Sequence, residues 1–215
     1  MTVALPTKAA QRSGSAFGRL LARIAHDMNN CLARINGKAE LALMLDRPER
    51  FRSALEEVLA AGQRASVLVA DFQRVLAWRG LRPGCEEGAI PLIDALSVAA
   101  RLWSGPREES GGLVAGGTGP RVDPPVAAAL VIALGAIVAE AARAAPPGAV
   151  CRLEALDGPR GWRAAVVVPG LSLPRERMRE LEGAEEEGDL AAAVATLREA
   201  GATIHVDGDR IVIDG

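Results

Sequence analysis

His26 stands in a short polar cluster, AHDMNNCLARINGKAEL at 25–41, and is followed by Asp27 and by two asparagines. On a helix, residues four apart lie one turn apart on the same face, so Asn30 is a neighbour of His26. An imidazole nitrogen can form a covalent phosphoryl intermediate if a carboxylate fixes the tautomer through the other nitrogen, and Asp27 adjoins the ring from the side. Asn30 offers amide donors and an acceptor that would position a phosphoryl group or a water molecule. The cluster therefore predicts a nucleophilic histidine.

The other residues on this face of the helix suit the approach of a second protein. Phosphoryl transfer passes through a loose transition state, which needs positioning and positive charge more than covalent chemistry from the protein. Arginines would supply this charge, although charged side chains on a helix usually do no more than face the solvent. Small side chains let a partner come close. We expect the partner-binding residues to be Arg19, Ala22, Arg23, Ala33, Arg34 and Gly37.

Two long amphipathic helices are needed to hold the cluster. Apolar residues recur at spacings of three and four from Phe17 to about Leu45, and again from Phe51 to Leu76, the pattern of a helix with one buried stripe. DRPER at 46–50 breaks the first run with a proline, and RGLRPG at 79–84 ends the second. The pattern predicts a long antiparallel hairpin.

We assign the hairpin to residues 15–82, after a flexible N-terminus at 1–14. One partner helix cannot bury a stripe of this length, and the chain beyond the hairpin adds no matching helices. We therefore expect a homodimer in which two hairpins form a four-helix bundle.

The pattern changes after the hairpin, and we assign residues 88–215 to a second domain. Helices mixed with antiparallel strand pairs favour an α+β sandwich with one layer of each. The expected helices lie at 90–103, 124–145 and 189–201, the strand pairs lie within 149–170 and 202–215, and a Gly-rich loop with one weak strand lies at 104–123.

Composition excludes several classes of protein. A net charge of −2 and a pI near 5.8 argue against nucleic acid as a main partner. The three cysteines lie far apart, without the spacing of a zinc site or a disulfide framework. No apolar run has the length of a membrane span, since Glu140 interrupts the longest one. These features favour a cytoplasmic protein. We expect His205 to be structural, because TIHVDG lacks a motif like the one around His26.

The stretch IAHDMNNCLARINGKAELAL closely resembles the phosphoacceptor box of bacterial sensor histidine kinases, with its H-D-x-N-N core, a Gly and then A-E-L. In that family the helical hairpin is the dimerisation and histidine phosphotransfer domain, and a GHKL-like ATP-binding α/β sandwich follows it. The order of elements in this chain is similar to that architecture. The resemblance implies that His26 is the phosphoacceptor.

The nucleotide motifs of that family are altered. The segment AIVAEAARAAPPGA at 136–149 fits the frame of the N-box, but Ala136 and Glu140 stand where asparagines belong. We expect Glu140 to lie at the surface or to pair with an arginine such as Arg143. PGLSLPRE, after the AAVVV strand, lacks the aspartate that reads adenine. The acidic run at 182–189, expected to be a solvated loop, would repel triphosphate at the helix that follows.

A phosphoacceptor beside a degenerate ATP-binding domain resembles the dimeric histidine phosphotransferases built on a kinase core. The resemblance implies a relay between His26 and the aspartates of response-regulator receiver domains, with a hybrid histidine kinase as a further partner. It implies no cofactor of the chain's own, since the receiver supplies Mg²⁺. Two alternatives stay open: a receiver phosphatase in which Asn30 aligns water, and a non-catalytic adaptor that binds regulators.

Overall fold

A computed structural model describes residues 8–44, 48–82, 88–104, 113–117, 119–158, 161–181 and 188–215. Several sequence predictions fall at least partly outside these residues. They are the start of the N-terminal segment, part of the DRPER turn, much of the Gly-rich loop, the centre of the turn after the first strand of the 149–170 pair, and most of the acidic run, 182–187.

The N-terminal part of the chain is the expected helical hairpin. Helix α1 runs over Lys8–Met44 and α2 over Pro48–Trp78. α1 thus begins before residue 15, within a run of good helix formers, KAAQR. A proline is tolerated at the first position of α2, because a backbone N–H at that position would have no hydrogen-bond partner within the helix.

The two helices run antiparallel and share an apolar seam. The seam consists of side chains that are less than a tenth exposed, among them Leu20, Ile24, Cys31, Ala54 and Ala61. Across it, Lys38 Nζ donates to Glu57 Oε1 over 2.8 Å. This packing positions the polar cluster, because a helix that buries one side must present the other to solvent.

The chain forms two compact units. One is the hairpin region at 19–74, and the other joins the residues up to Gly18 to residues 75–215. The domain limits expected from the sequence, 15–82 and 88–215, stay predictions.

The second unit contains a five-stranded sheet in the order β2–β4–β5–β7–β6. β2 is parallel to β4, and the other neighbours are antiparallel. A separate two-stranded sheet pairs β1 with β3. The strands are β1 Ile90–Pro91, β2 Val114–Gly116, β3 Arg121–Val122, β4 Arg152–Gly158, β5 Gly161–Val167, β6 Thr203–Asp207 and β7 Arg210–Asp214.

Helices form the second layer of this unit. They are α3 Leu92–Trp103, α4 Pro124–Ala144, α5 Arg175–Leu181 and α6 Asp189–Glu199. One side of the sheet is apolar and buried: Trp162, Ala164 and Val166 of β5 share it with Ile211 and Ile213 of β7. The expected α+β class, a helical hairpin followed by an α/β layered domain, is confirmed.

Three details differ from the expectation. α3 begins at Leu92, because Ile90–Pro91 pairs with Arg121–Val122 as a strand. The loop at 104–123 contributes two short strands, β2 and β3. Helix α5 was not predicted, since seven mostly charged residues are too few to show a helical period.

α4 is the helix of the described chain whose length and mean hydropathy, 2.1, would suit a membrane span. Most of it is buried within the protein, including Leu130, Leu134 and Ile137. It packs as a core helix of the second unit.

Candidate functional site

His26 lies on the exposed side of α1, away from the seam with α2. The Nδ2 atom of Asn30 lies 3.1 Å from His26 Nε2, which is hydrogen-bond distance. The expected pairing of these residues across one helical turn is therefore present. It brings an amide into direct contact with the candidate nucleophile.

The Asp27 carboxylate pairs with a residue of the preceding turn of α1. Its Oδ2 accepts a hydrogen bond from Arg23 Nε at 2.8 Å, and its side chain is only 15% exposed. Because the carboxylate is engaged one turn back along α1, the orientation of the imidazole by Asp27 stays a prediction. The structure instead joins two of the expected site residues, Arg23 and Asp27, into an ion pair beside the histidine.

The expected partner-binding residues lie mostly on this open side. Ala22, Ala33, Arg34 and Gly37 are exposed, and Arg19 and Arg23 are half-buried. A Cβ at Gly37 would meet no atom within 4 Å, so none of the described residues packs against that position. The surface has room for a partner, but the contacts themselves stay a prediction.

Asp71 is a buried carboxylate that sequence reasoning did not single out. It is 2% exposed on α2, and Arg74 Nη1 donates to its Oδ1 over 3.3 Å. The register set by Lys38 and Glu57 puts it level with the turn of α1 that holds Ile24. The signal was an aspartate in the apolar register of α2, between Leu68 and Val75.

Glu140 is buried in α4, at 5% exposure, and is paired with two arginines. Its Oε2 lies 2.6 Å from Arg143 Nη2, a close ion contact without hydrogen-bond alignment. Its Oε1 lies 3.3 Å from Arg177 Nε of α5. The expected partner Arg143 is confirmed, and Arg177 was missed because α5 itself was not predicted.

Two positions bear on the expected absence of a bound nucleotide, which stays a prediction. Guanidinium groups already neutralise the carboxylate that stands at the N-box position of the resemblance, and Ala136 has no ligand atom. Among the described residues, no group of three His, Cys, Asp or Glu side chains is placed to hold a metal ion.

His205 lies on β6 and pairs with Val212 of β7 in the register of the sheet. Its Nδ1 is 3.8 Å from Asp214 Oδ2, while Arg163 Nε donates to Asp214 Oδ1 over 2.7 Å. The hydrogen bond to Asp214 raises the pKa of Arg163, which keeps the guanidinium charged. His205 thus lies beside the Arg163–Asp214 ion pair of the sheet, separate in sequence and in element from His26.

Residues 18–76 match the family model of the His Kinase A (phospho-acceptor) domain. The match contains His26, Asn30 and most of both long helices. The likeness to that family model is confined to the hairpin region.

Solved structures extend the likeness over the whole chain. A bacterial phosphotransferase is 21% identical, with 98% of this chain and 97% of that chain covered and a TM-score of 0.55. This chain shares its fold. A histidine kinase domain from Erythrobacter litoralis EL346 is 14% identical over 86% and 92% of the chains, with a TM-score of 0.44.

A histidine kinase from Burkholderia phymatum STM815 is 17% identical over 97% and 96% of the chains, with a TM-score of 0.35. No curated protein sequence matches the chain.

Proposed function

We propose that this protein is a histidine phosphotransferase that relays a phosphoryl group between His26 and the receiver aspartates of two-component response regulators. The relationship of the hairpin to histidine kinase phosphoacceptor domains supports a role in two-component signalling. The observation that carries the proposal is an exposed imidazole in amide contact, on a helix side lined by small residues and arginines.

The transfer needs no cofactor of the chain's own. One ring nitrogen of His26 attacks the phosphorus of a receiver acyl phosphate, the nitrogen–phosphorus bond forms, and the electron pair of the breaking oxygen–phosphorus bond returns to the receiver carboxylate. The receiver brings its Mg²⁺. Arg34, exposed on the same helix, supplies positive charge to a transition state that spreads its charge over the phosphoryl oxygens.

We infer that the protein does not phosphorylate itself from ATP. Glu140, paired with Arg143 and Arg177, stands where the N-box of the resemblance has an asparagine. The second unit then serves as a scaffold and contributes to docking. The proposed location is the cytoplasm, where receivers and hybrid kinases present their aspartates.

We propose a homodimer built on the hairpin. A second apolar stripe, separate from the seam between α1 and α2, is solvent-exposed in the single chain. Beside it lies an open groove of about 620 Å³, lined mainly by α2 residues from Val58 to Val67. A second copy would cover both helices with a matching stripe and complete a four-helix bundle. The stripe contains Leu21, Leu32 and Leu43 of α1 and Phe51, Leu55 and Leu59 of α2.

A receiver phosphatase is the second candidate. The Asn30 amide beside His26 would also align a water molecule against a receiver acyl phosphate. In that case His26 is not covalently modified. His26→Ala would then leave the release of inorganic phosphate intact, whereas Asn30→Ala would abolish it.

The deciding experiment mixes the purified protein with radiolabelled phospho-receivers from its host. The relay predicts an acid-labile label on His26 and its loss in His26→Ala. His205→Gln is the matched control, because it removes the other histidine of the chain and must keep the label. Absence of label with every host receiver would refute the relay. Tight receiver binding that neither His26→Ala nor Asn30→Ala changes would identify an adaptor.

A further inference from the structure

We propose that the second unit carries a binding site for a small aliphatic α-amino acid, in a cavity between α4, α6 and the residue that follows α2. The cavity has a volume of about 190 Å³, and its lining residues all belong to the unit that contains residues 75–215. It lies along the N-terminal half of α4, whereas Ala136 and Glu140, at the N-box positions of the resemblance, lie further along that helix. The site is therefore separate from the altered nucleotide site.

One wall of the cavity is apolar and comes from α4. Ala128 and Ile132 lie one turn apart on that helix and are only 1% and 5% exposed, so this wall is part of the core. Apolar atoms of this kind stabilise an aliphatic group in proportion to the area that it covers. Since an apolar cavity of about 150 Å³ holds a benzene molecule, this cavity suits a ligand of about the size of leucine.

The positive side of the cavity is formed by Arg79. Its Cζ lies 4.3 Å from the centroid of the Phe17 ring, and this cation–π contact holds the guanidinium in place. No carboxylate of the described residues pairs with it. The N–H donors of an arginine form a planar fork that matches the two oxygens of a carboxylate. Pro125 brings the first turn of α4 to the cavity, and the positive end of that helix dipole also favours an anion.

The negative side of the cavity comes from α6. Thr196 and Glu199 lie three residues apart on one face of that helix, and both line the cavity. Thr196 Oγ1 already donates to the carbonyl oxygen of Ala192 over 2.9 Å, so toward a ligand it can only accept. Glu199 is exposed and has no ion-pair partner among the described residues. Ala200, the C-cap residue, adds the negative end of the α6 dipole, so this side suits an ammonium group.

The three sides together fit an α-amino acid. A ligand with a carboxylate alone would meet Glu199, and a ligand with an amine alone would meet Arg79, so each would bring like charges together. An α-amino acid carries both charges on neighbouring atoms, and its side chain can cover Ala128, Ala129 and Ile132. An aliphatic side chain is required, because polar atoms would find no hydrogen-bond partner on the apolar wall.

Titration of the full-length protein with L-leucine tests the site directly. The protein is labelled at the isoleucine δ1 methyl groups, and the Ile132 signal is assigned through Ile132→Val. We expect L-leucine to shift the Ile132 signal in a saturable way at concentrations up to about 10 mM, well above the Kd of a weak ligand, about 1 mM. The signal of Ile24, which lies in the seam of the hairpin, should stay in place.

Two ligands that each lack one charge test the two polar sides on the wild-type protein. Isocaproate is leucine without its ammonium group, and isoamylamine is leucine without its carboxylate. We expect both to bind at least about threefold more weakly than L-leucine, because each loses one charge contact and leaves a like charge in the cavity. This comparison needs no substitution, so it stands even if a variant is disturbed in its fold.

Two substitutions test the same contacts from the side of the protein. Arg79→Gln removes the charge that faces the carboxylate and should weaken L-leucine binding at least about tenfold, the scale of a hydrogen bond to a charged group. Glu199→Gln should weaken it about twofold to fivefold, because the exposed carboxylate is screened by water. Arg179→Gln and Glu176→Gln are the matched controls on α5, whose residues do not line the cavity, and should bind as the wild type does.

Three results would overturn the proposal. The first is an Ile132 signal that L-leucine leaves in place. The second is isocaproate or isoamylamine that binds as tightly as L-leucine, and the third is an L-leucine affinity that neither Arg79→Gln nor Glu199→Gln changes, because the charges would then not select the ligand. No phosphorylated receiver enters these titrations, so they decide the amino-acid site independently of the proposed relay.

Discussion

Arg177 bridges Glu140 and Glu180 with one guanidinium. Its Nε lies 3.3 Å from Oε1 of Glu140 on α4, and its Nη1 donates to Oε1 of Glu180 over 2.6 Å within α5. The two glutamates are only 5% and 9% exposed. A buried carboxylate without a partner costs several kcal/mol, so this guanidinium fixes α5 to α4.

Removing that guanidinium should destabilise the second unit. Loss of one partner of a fully buried pair costs about 3–5 kcal/mol. Arg177 is 39% exposed and Arg143 still faces Glu140, so for Arg177→Ala we expect about 1–3 kcal/mol less free energy of unfolding after the discount for screening. Urea titration followed by circular dichroism measures it.

Arg179→Ala is the control for that experiment, because Arg179 is an exposed arginine of the same helix. Its effect should stay within about 0.5 kcal/mol, as for most surface substitutions. Equal effects of the two substitutions would contradict the bridging role.

Nucleotide chemistry should be absent and should not return with one substitution. Incubation with γ-labelled ATP and Mg²⁺ is expected to leave His26 unlabelled in the wild type and in Glu140→Asn. The substitution restores one amide, but Ala136 remains and PGLSLPRE still lacks an aspartate. A labelled wild type would overturn the view that phosphate comes from another protein.

The hairpin was predictable because its signal is long. Two runs of apolar residues at helical spacing, separated by a proline, define α1 and α2, and the resemblance of the box adds the expected role of His26. Short elements gave no comparable signal. α5 has seven residues, and β1 and β3 have two each, so partners distant in sequence decide their conformation.

Side-chain partners were harder to foresee than elements. Asp27 lies close in sequence to both His26 and Arg23, so its partner was not evident. The hydrogen bond to Arg23 follows from their spacing of four residues, which favours ion pairs on a helix. Arg177 meets Glu140 through tertiary packing. The helical periodicity of α4 and of α5 does not predict which residues of the two helices come into contact.

The Arg23–Asp27 pair should act as one unit in transfer. If Asp27 works by holding Arg23 beside His26, then Asp27→Asn and Arg23→Ala slow transfer by similar factors, and the double variant is no slower than either single one. We expect this non-additive result. The loss of stability should stay below about 1 kcal/mol, since the pair is a partly exposed i, i+4 ion pair.

The same cycle tests the alternative role of Asp27. If the carboxylate orients the imidazole directly, Asp27→Asn is much slower than Arg23→Ala, and the two losses multiply. Single-turnover transfer from a phospho-receiver, measured for all four proteins, distinguishes the two cases.

The exposed apolar stripe of α2 should control assembly. Leu59 is 63% exposed in the single chain, and Leu55 is 45% exposed one turn before it. Leu59→Asp would bury a charge in the proposed bundle, which is strongly unfavourable, so we expect a monomer by sedimentation equilibrium where the wild type is a dimer.

Ser53→Asp is the matched control, because it adds the same charge to an exposed position of α2 off the stripe. It should stay dimeric. A dimeric Leu59→Asp protein, or a monomeric wild type at micromolar concentration, would contradict a bundle built on this stripe. Because the stripe lies on α1 as well as α2, Leu32→Asp should give the same monomer, and a dimer there would confine the interface to α2.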